Sequence, residues 1–384
     1  MPIPLRYSVR NVFRRKMRTI LTVLAVALVV GVSTFMAAYV RGVLNAARNS
    51  GSPDNIVVMD RRAASQVFSK ISQRDLALLK SLPQLRRDAS GEALISAEAV
   101  HQSRVSVGEY KDRPGTIRGV SARVFDVNGL LTLKEGTRPT TGRNIVVGEL
   151  AFAALGVPAE ALAPGAEVQI ENETWKVVGR FAAGGTALDS EILADIADVM
   201  AVYQRESYST ALLKATSPAD AAVLVGALNN RNDIQVKAMP EREYYAGLAE
   251  GYERIIFLAA GMAVIAAIGG LVSGMNTMYA AVLGRIREIG TLKVLGYRSR
   301  AVVVSFVAES LAMALVGALP GLWVASLADG LSTKFATGAL RVVVDEWALG
   351  IGLAVAVVIG VVGALPPALK GVRLGITNAL KYHG

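Results

Sequence analysis

The sequence predicts an α-helical membrane protein with four transmembrane helices and an α+β extracytoplasmic domain inserted between helices 1 and 2. Three observations carry this. Hydrophobic residues make up 52% of the 384, before 37 glycines are counted, and mean hydropathy is +0.41, too apolar for ordinary soluble domains. The apolar residues concentrate in four stretches bounded by charge, and the basic residues concentrate at the ends of those stretches.

The stretches run from Thr19 to Val40, Ile255 to Gly284, Ala301 to Ala328 and Trp347 to Leu369. Each exceeds the roughly 20 residues that a helix needs to cross about 30 Å of hydrocarbon. Glu309 is the one charge that interrupts them. The first stretch follows a basic start, as a cleaved signal peptide would, but its apolar run of about 22 residues is longer than the roughly 7 to 15 of a signal peptide, which predicts a retained helix.

Orientation follows from charge. Residues 1 to 18 carry Arg6, Arg10, Arg14, Arg15, Lys16 and Arg18 with no acid. The loop from 284 to 300 carries Arg285, Arg287, Lys293, Arg298 and Arg300 against Glu288 alone, and the tail carries Lys370, Arg373 and Lys381. Residues 43 to 253, by contrast, hold more acids than bases. The positive-inside rule then puts both termini and the 285–300 loop in the cytoplasm, and the large domain and the 329–346 loop outside. The net charge of +10 is accounted for by anionic lipid headgroups, which argues against nucleic acid as a partner. In residues 4 to 16, Leu5, Val9, Val12 and Phe13 recur at helical spacing opposite Arg6, Arg10 and Arg14. This predicts an amphipathic helix on the inner membrane surface, with a disordered basic leader as the alternative.

The organisation expected is a cytoplasmic N-terminus (1–18), helix 1 (19–42), an extracytoplasmic domain (43–250), a stalk with helix 2 (251–284), a cytoplasmic loop (285–300), helix 3 (301–328), an outer loop (329–346), helix 4 (347–369) and a cytoplasmic tail (370–384). In the domain, Asn55 to Met59, Glu92 to Val107, Thr210 to Lys214 and Ile234 to Ala238 read as strands. Ser72 to Ser81, with Ser72 as N-cap, and Pro218 to Leu228 read as helices, giving two βαβ-like halves. Gly165 to Phe181 alternates about a polar turn at Glu171 to Thr174, which predicts a β-hairpin in a more β-rich middle. Glu241 to Glu253 reads as a helix continuing without a Gly-Pro break into the second apolar stretch.

Catalytic signatures are missing. With no cysteine, thiolate metal sites are excluded, and His101 and His383 are the two histidines. There is no Gly-Lys dipeptide and hence no Walker A loop, nor any His-Glu-x-x-His or Gly-x-Ser-x-Gly. No catalytic, cofactor or metal residue is expected in this chain.

The most informative segment is Gly284-Arg285-Ile286-Arg287-Glu288-Ile289-Gly290-Thr291-Leu292-Lys293-Val294-Leu295-Gly296. Ile289, Leu292 and Leu295 are spaced to form an apolar stripe on a short helix, with Gly290 and Gly296 permitting close approach and a stop. Such a stripe suits a groove on a soluble partner, with Arg287, Glu288 and Lys293 as orienting charges; a loop that merely fixes topology is the plainer alternative. The segment resembles the loop of MacB/FtsX-family ABC permeases, close to R-x-R-E-I-G-x-L-K-A-L-G, and nearly every position agrees. Residues 5 to 31, Phe306 to Leu311 with Gly317 and Gly321, and Pro367 to Leu380 are similar to further family segments, departing at Ile376 where proline is usual. Gly142 to Gly148 and Trp175 to Gly179 resemble its periplasmic core domain more loosely.

The resemblance implies a permease subunit in the bacterial inner membrane, working with a second copy or paralogue and two copies of a separate ABC ATPase that holds ATP and Mg. Arg285, Arg287, Glu288, Ile289, Gly290, Leu292, Lys293, Leu295 and Gly296 would form the ATPase-coupling element. The implied cargo is a lipoprotein, lipid, peptide or hydrophobic drug, with an adaptor or cargo protein outside. An FtsX-like regulator that transports nothing, and a membrane-anchored scaffold without an ATPase, are the alternatives. Glu309 has two readings, as an intramembrane functional contact or as a structural hydrogen-bonded group. Gly270/Gly274 and Gly317/Gly321 have the small-x-x-x-small spacing of close helix packing, which suits a subunit interface.

Overall fold

The computed structural model describes residues 16–48, 50–250, 253–335 and 338–373. The amphipathic N-terminal helix expected over 4–16 lies almost wholly outside these residues, as do the tail beyond Arg373 and the junction at 251–252, where the stalk was expected to join helix 2. The chain divides into two units: Met1–Arg41, Arg254–Gly330 and Val342–Gly384 form one, and Gly42–Glu253 with Leu331–Arg341 the other.

In chain order, α1 (Lys16–Arg48) is followed by β1 (Asn55–Asp60), α2 (Gln73–Lys80), β2 (Ile95–Val107), β3 (Tyr110–Val120), α3 (Val124–Val127) and β4 (Thr132–Gly136). Then come β5 (Asn144–Gly148), α4 (Ala151–Leu155), β6 (Glu167–Ile170), β7 (Glu173–Ala182), β8 (Ile192–Asp195) and α5 (Ile196–Val202). The domain continues through β9 (Thr210–Lys214), α6 (Pro218–Asn229), β10 (Val236–Pro240) and α7 (Glu241–Glu250). The rest is α8 (Glu253–Leu283), α9 (Ile286–Val294), α10 (Ser299–Ser326), β11 (Ser332–Phe335), β12 (Gly338–Arg341), α11 (Glu346–Val362) and α12 (Leu365–Arg373).

The extramembrane unit is built on one ten-stranded sheet, ordered β10-β1-β9-β2-β3-β8-β5-β7-β4, with β6 paired to β2 and β7. At one end β9 lies antiparallel between β1 and β2, and β1 antiparallel between β9 and β10. The units β1-α2-β2 and β9-α6-β10 therefore interlock as split βαβ pairs. Ser72 accepts a hydrogen bond from the Asp75 amide and Ser217 one from the Asp220 amide, capping α2 and α6. Ile56, Val58, Leu79, Leu213, Leu224 and Leu228 fill the core beneath them. The β-rich part carries its own core around Trp175, Ile145, Val147, Leu155, Val168 and Val199, on the same sheet rather than a separate one. In the β6-β7 hairpin Glu171 takes a positive φ of 53° at the turn.

Among the described residues, four helices are long and apolar enough to cross a bilayer, in Thr19–Ala46, Ile256–Leu283, Ser299–Ser326 and Glu346–Arg373. Their packed core holds Val26, Val30, Ala314, Ala318, Ala356 and Ile359. Leu24, Phe257, Ile265, Leu319 and Trp323 remain exposed on their surfaces, as lipid-facing side chains would be. The fourth span is broken between α11 and α12, where Pro366 and Pro367 supply no backbone N–H.

Two segments hold more regular structure than the sequence predicts. The first helix does not stop at 42 but runs to Arg48. The expected outer loop over 329–346 holds a hairpin: β11 and β12 pair antiparallel, and β12 is fastened to the large domain. The Ala339 amide donates to Ser190 Oγ at 2.8 Å, and Arg341 pairs with Glu149 at 2.8 Å.

Candidate functional site

The segment singled out in the sequence folds as α9. Arg285 precedes it, and it ends where Gly296 takes a φ of 87°, a left-handed conformation that glycine adopts without strain. There the Tyr297 amide donates to the Leu292 carbonyl at 3.0 Å and the Gly296 amide to Lys293 at 3.1 Å, a Schellman-type closure.

The predicted apolar stripe does not form one outward face. Ile286, Ile289 and Gly290 are buried, Ile289 in a cluster with Met278, Val282, Val302, Phe306, Ala368 and Val372. Leu292 is half-buried, whereas Val294 and Leu295 are 62% and 69% exposed. The physical reason is helical drift. Successive steps of three residues each rotate about 60° around the axis, so Ile289 and Leu295 are about a third of a turn apart. The outward surface consists of Arg287, Glu288, Thr291, Val294, Leu295 and Gly296.

Arg285 also turns inward. Its two terminal nitrogens donate to Glu309 Oε2 at 2.8 Å and Oε1 at 3.0 Å, and its guanidinium lies 5.9 Å from the centre of the Phe306 ring. The side chains are 17% and 6% exposed, so the bidentate pair is a buried charge-assisted clamp between the start of α9 and α10. Of the two readings of Glu309, the structure provides the satisfied one. Lys293 Nζ donates to the Val372 carbonyl at 3.0 Å, a second tie between α9 and α12. A Cβ on Gly371 would collide with Val282, so α12 packs backbone-close there.

The glycine pairs pack against helices of the same chain rather than presenting a free subunit interface. A Cβ on Gly317 would stand 2.9 Å from the Val23 carbonyl oxygen, and one on Gly321 would clash with the Ala27 carbonyl. A Cβ on Gly270 would meet Val29 at 2.9 Å and one on Gly274 would meet Ile359 at 3.2 Å. Small residues allow close approach to any neighbouring helix, and sequence spacing does not say which.

A second buried arginine, Arg118 on β3, carries no sequence signature. Its Nε and Nη2 donate to Glu191 at 2.5 and 2.9 Å, and its Nη1 donates to Glu98 at 2.6 Å and to Gln66 Oε1 at 3.0 Å. Burial pushes the Glu98 carboxyl above its usual range, while the two carboxylates hold Arg118 firmly protonated. Residues 117–120 of β3 are all buried, on both faces of the sheet, and one sequence does not reveal that Arg118 meets charged partners there.

The fold and this loop together define the transmembrane subunit of an ABC transporter. Residues 19–231 match the MacB-like periplasmic core domain and residues 260–376 the FtsX-like permease C-terminal domain. The chain belongs to the MacB/FtsX-like family of ABC permeases. It is 23% identical to the ABC transporter permease YknZ of Bacillus subtilis (strain 168), over 99% of this chain and 98% of that protein. It is 25% identical to the macrolide export ATP-binding/permease protein MacB of Bdellovibrio bacteriovorus, over 65% of this chain but 37% of the longer relative. The crystal structure of the periplasmic region of MacB from Actinobacillus actinomycetemcomitans aligns at 15% identity with a TM-score of 0.38, covering 54% of this chain and 97% of that one.

Proposed function

We propose that this chain is a permease subunit that receives ATP-driven motion from a separate ABC ATPase through residues 285–296 and transmits it to the extracytoplasmic domain. The motion serves export or extraction of a hydrophobic cargo, a lipoprotein, lipid, peptide or drug. The functional unit pairs two permeases, identical or related, with two ATPases that carry the ATP and Mg, and both termini and α9 face the cytoplasm.

The observation that carries this reading is the two-sided character of α9. Its inner side is fixed to the membrane unit by Ile286, Ile289 and the Arg285–Glu309 clamp, while its outer side leaves Val294 and Leu295 uncovered. A push on the outer side would be delivered to α10 and α12 instead of being absorbed by a loose loop. Exposed apolar side chains rimmed by charge are what a helix docking into a groove presents.

Affinity purification of the tagged chain in mild detergent, with identification of bound proteins and an ATPase assay, tests this. Wild type should bring down a Walker-motif ATPase and Leu295→Asp should lose it. A wild-type preparation with no ATPase would favour a membrane-anchored scaffold and end the reading of residues 285–296 as a coupling element.

A further inference from the structure

Among the described residues, Ile256–Leu283 is the least covered of the four spans: in its apolar stretch 11% of residues are buried within the chain, against 22%, 39% and 39% in the others. What it buries lies on one side of α8, where a Cβ on Gly270 would meet Val29 and one on Gly274 would meet Ile359. Gly269 points the other way, with nothing within 4 Å of its Cβ position.

That open side is patterned. Leu258, Met262, Ile265, Gly269, Val272 and Asn276 are all exposed, and they follow one another in alternating steps of four and three residues. This is the spacing of a helix that winds around another, a 3.5-residue period that keeps one seam in line. Lipid tails would cover the leucine, isoleucine and valine of this seam equally well. They cannot serve Asn276.

Asn276 lies nine residues before Arg285, roughly 13 Å along the axis, too deep for its short side chain to reach the headgroups. A hydroxyl in hydrocarbon can bond back to its own helix, as Thr277 does to the Ser273 carbonyl at 3.0 Å. A carboxamide brings two donors and an acceptor, and among the described residues the Asn276 side chain has no hydrogen-bond partner. Lipid tails offer it none, whereas the same carboxamide on a second copy offers both a donor and an acceptor. Two copies inserted with the same orientation hold their α8 helices parallel, and across a two-fold axis each seam residue meets its own counterpart. One asparagine in such a seam fixes its register.

We propose that α8 is a contact between two copies of this chain, with Leu258 to Asn276 as a parallel two-stranded seam and the Asn276 carboxamides hydrogen-bonded to each other across it. The proposal deepens the permease reading, on which it rests for the work of the pair; the contact itself needs only this chain.

The sequence has no cysteine, so single substitutions report on single positions. In the full chain reconstituted at low density in lipid vesicles without any ATPase, copper–phenanthroline should oxidise Gly269→Cys and Val272→Cys to disulfide-linked dimers. The rate should be at least tenfold higher than for Val264→Cys on α8 or Val304→Cys on α10, positions that are 58% and 65% exposed but lie off the seam. Adding Asn276→Leu to Val272→Cys should slow the linkage at least threefold, and Asn276→Gln, which keeps a carboxamide, should slow it less. Equal rates at all four positions, no linkage at Gly269→Cys and Val272→Cys, or an Asn276→Leu protein that links as fast as its parent would each overturn the proposal. With no ATPase in the assay, failure here leaves the co-purification result standing, and failure of co-purification leaves this result standing.

Discussion

Arg118, buried in the extramembrane unit, and Arg285, half-buried in the membrane unit, are both arginines held by carboxylates, yet they solve different problems. Arg285 meets one acid, Glu309, in a one-to-one bidentate pair joining two helices. Arg118 meets Glu98 and Glu191 at once and borders a cavity. A balanced pair is self-sufficient and serves as a fastener. In the cluster two acids share one guanidinium, and burial pushes one of them, Glu98, toward its protonated form.

Breaking the clamp should have the largest effect. Glu309→Ala leaves Arg285 buried without its partner, at a cost of about 3–5 kcal/mol, enough to remove most folded protein from detergent extracts. The exchange Arg285→Glu with Glu309→Arg should recover part of the loss. If Glu309→Ala unfolds at the wild-type temperature, the pair is no fastener. Arg118→Met should also destabilise, because it strands two carboxylates, but less, since Glu98 and Glu191 then hold protons more readily. Adding Glu98→Gln to Arg118→Met should restore stability, and thermal unfolding of the two variants checks this. Gly321→Val should cost about 1–3 kcal/mol through overpacking against the Ala27 carbonyl, read as a lower unfolding temperature in the same assay.

The smallest effect concerns pH. Burial raises the Glu98 carboxyl above its ordinary value near 4.5, so the folded state retains a proton that the unfolded chain releases. Stability should fall as pH rises from about 4.5 toward the raised folded value, and Glu98→Gln should flatten that slope. The change in Tm, measured between pH 5 and pH 8, is expected to be smaller than that of any substitution above. A slope identical in both proteins would remove Glu98 as its source.

The same contrast marks what was legible in the sequence. Periodic features with local causes were visible: the four apolar stretches, the Ser72 cap and the hairpin turn at Glu171 each follow from a few neighbouring residues. Pairings at a distance were not. Arg285 read as one residue of the coupling loop and Glu309 as an acid without a named partner because their pairing spans two elements, although one acid among four apolar stretches and an arginine close to the same helix end were a usable hint. The β11-β12 hairpin was missed because its two four-residue strands are too short for a clear alternation. The orientation of α9 was misread because three-residue spacing drifts around a helix, and Ile289 fell on the inner side.

Which face of α9 is packed and which is free to dock is decided by comparing Ile289→Asp with the Val294→Asp, Leu295→Asp pair. Each protein would be purified in the same detergent, with thermal unfolding and retained ATPase read from one preparation. The outward pair should unfold within about 0.5 kcal/mol of wild type while losing the ATPase, and Ile289→Asp should be destabilised. An outward pair that keeps its ATPase, or an Ile289→Asp protein of wild-type stability that loses it, would reverse the assignment of the two faces.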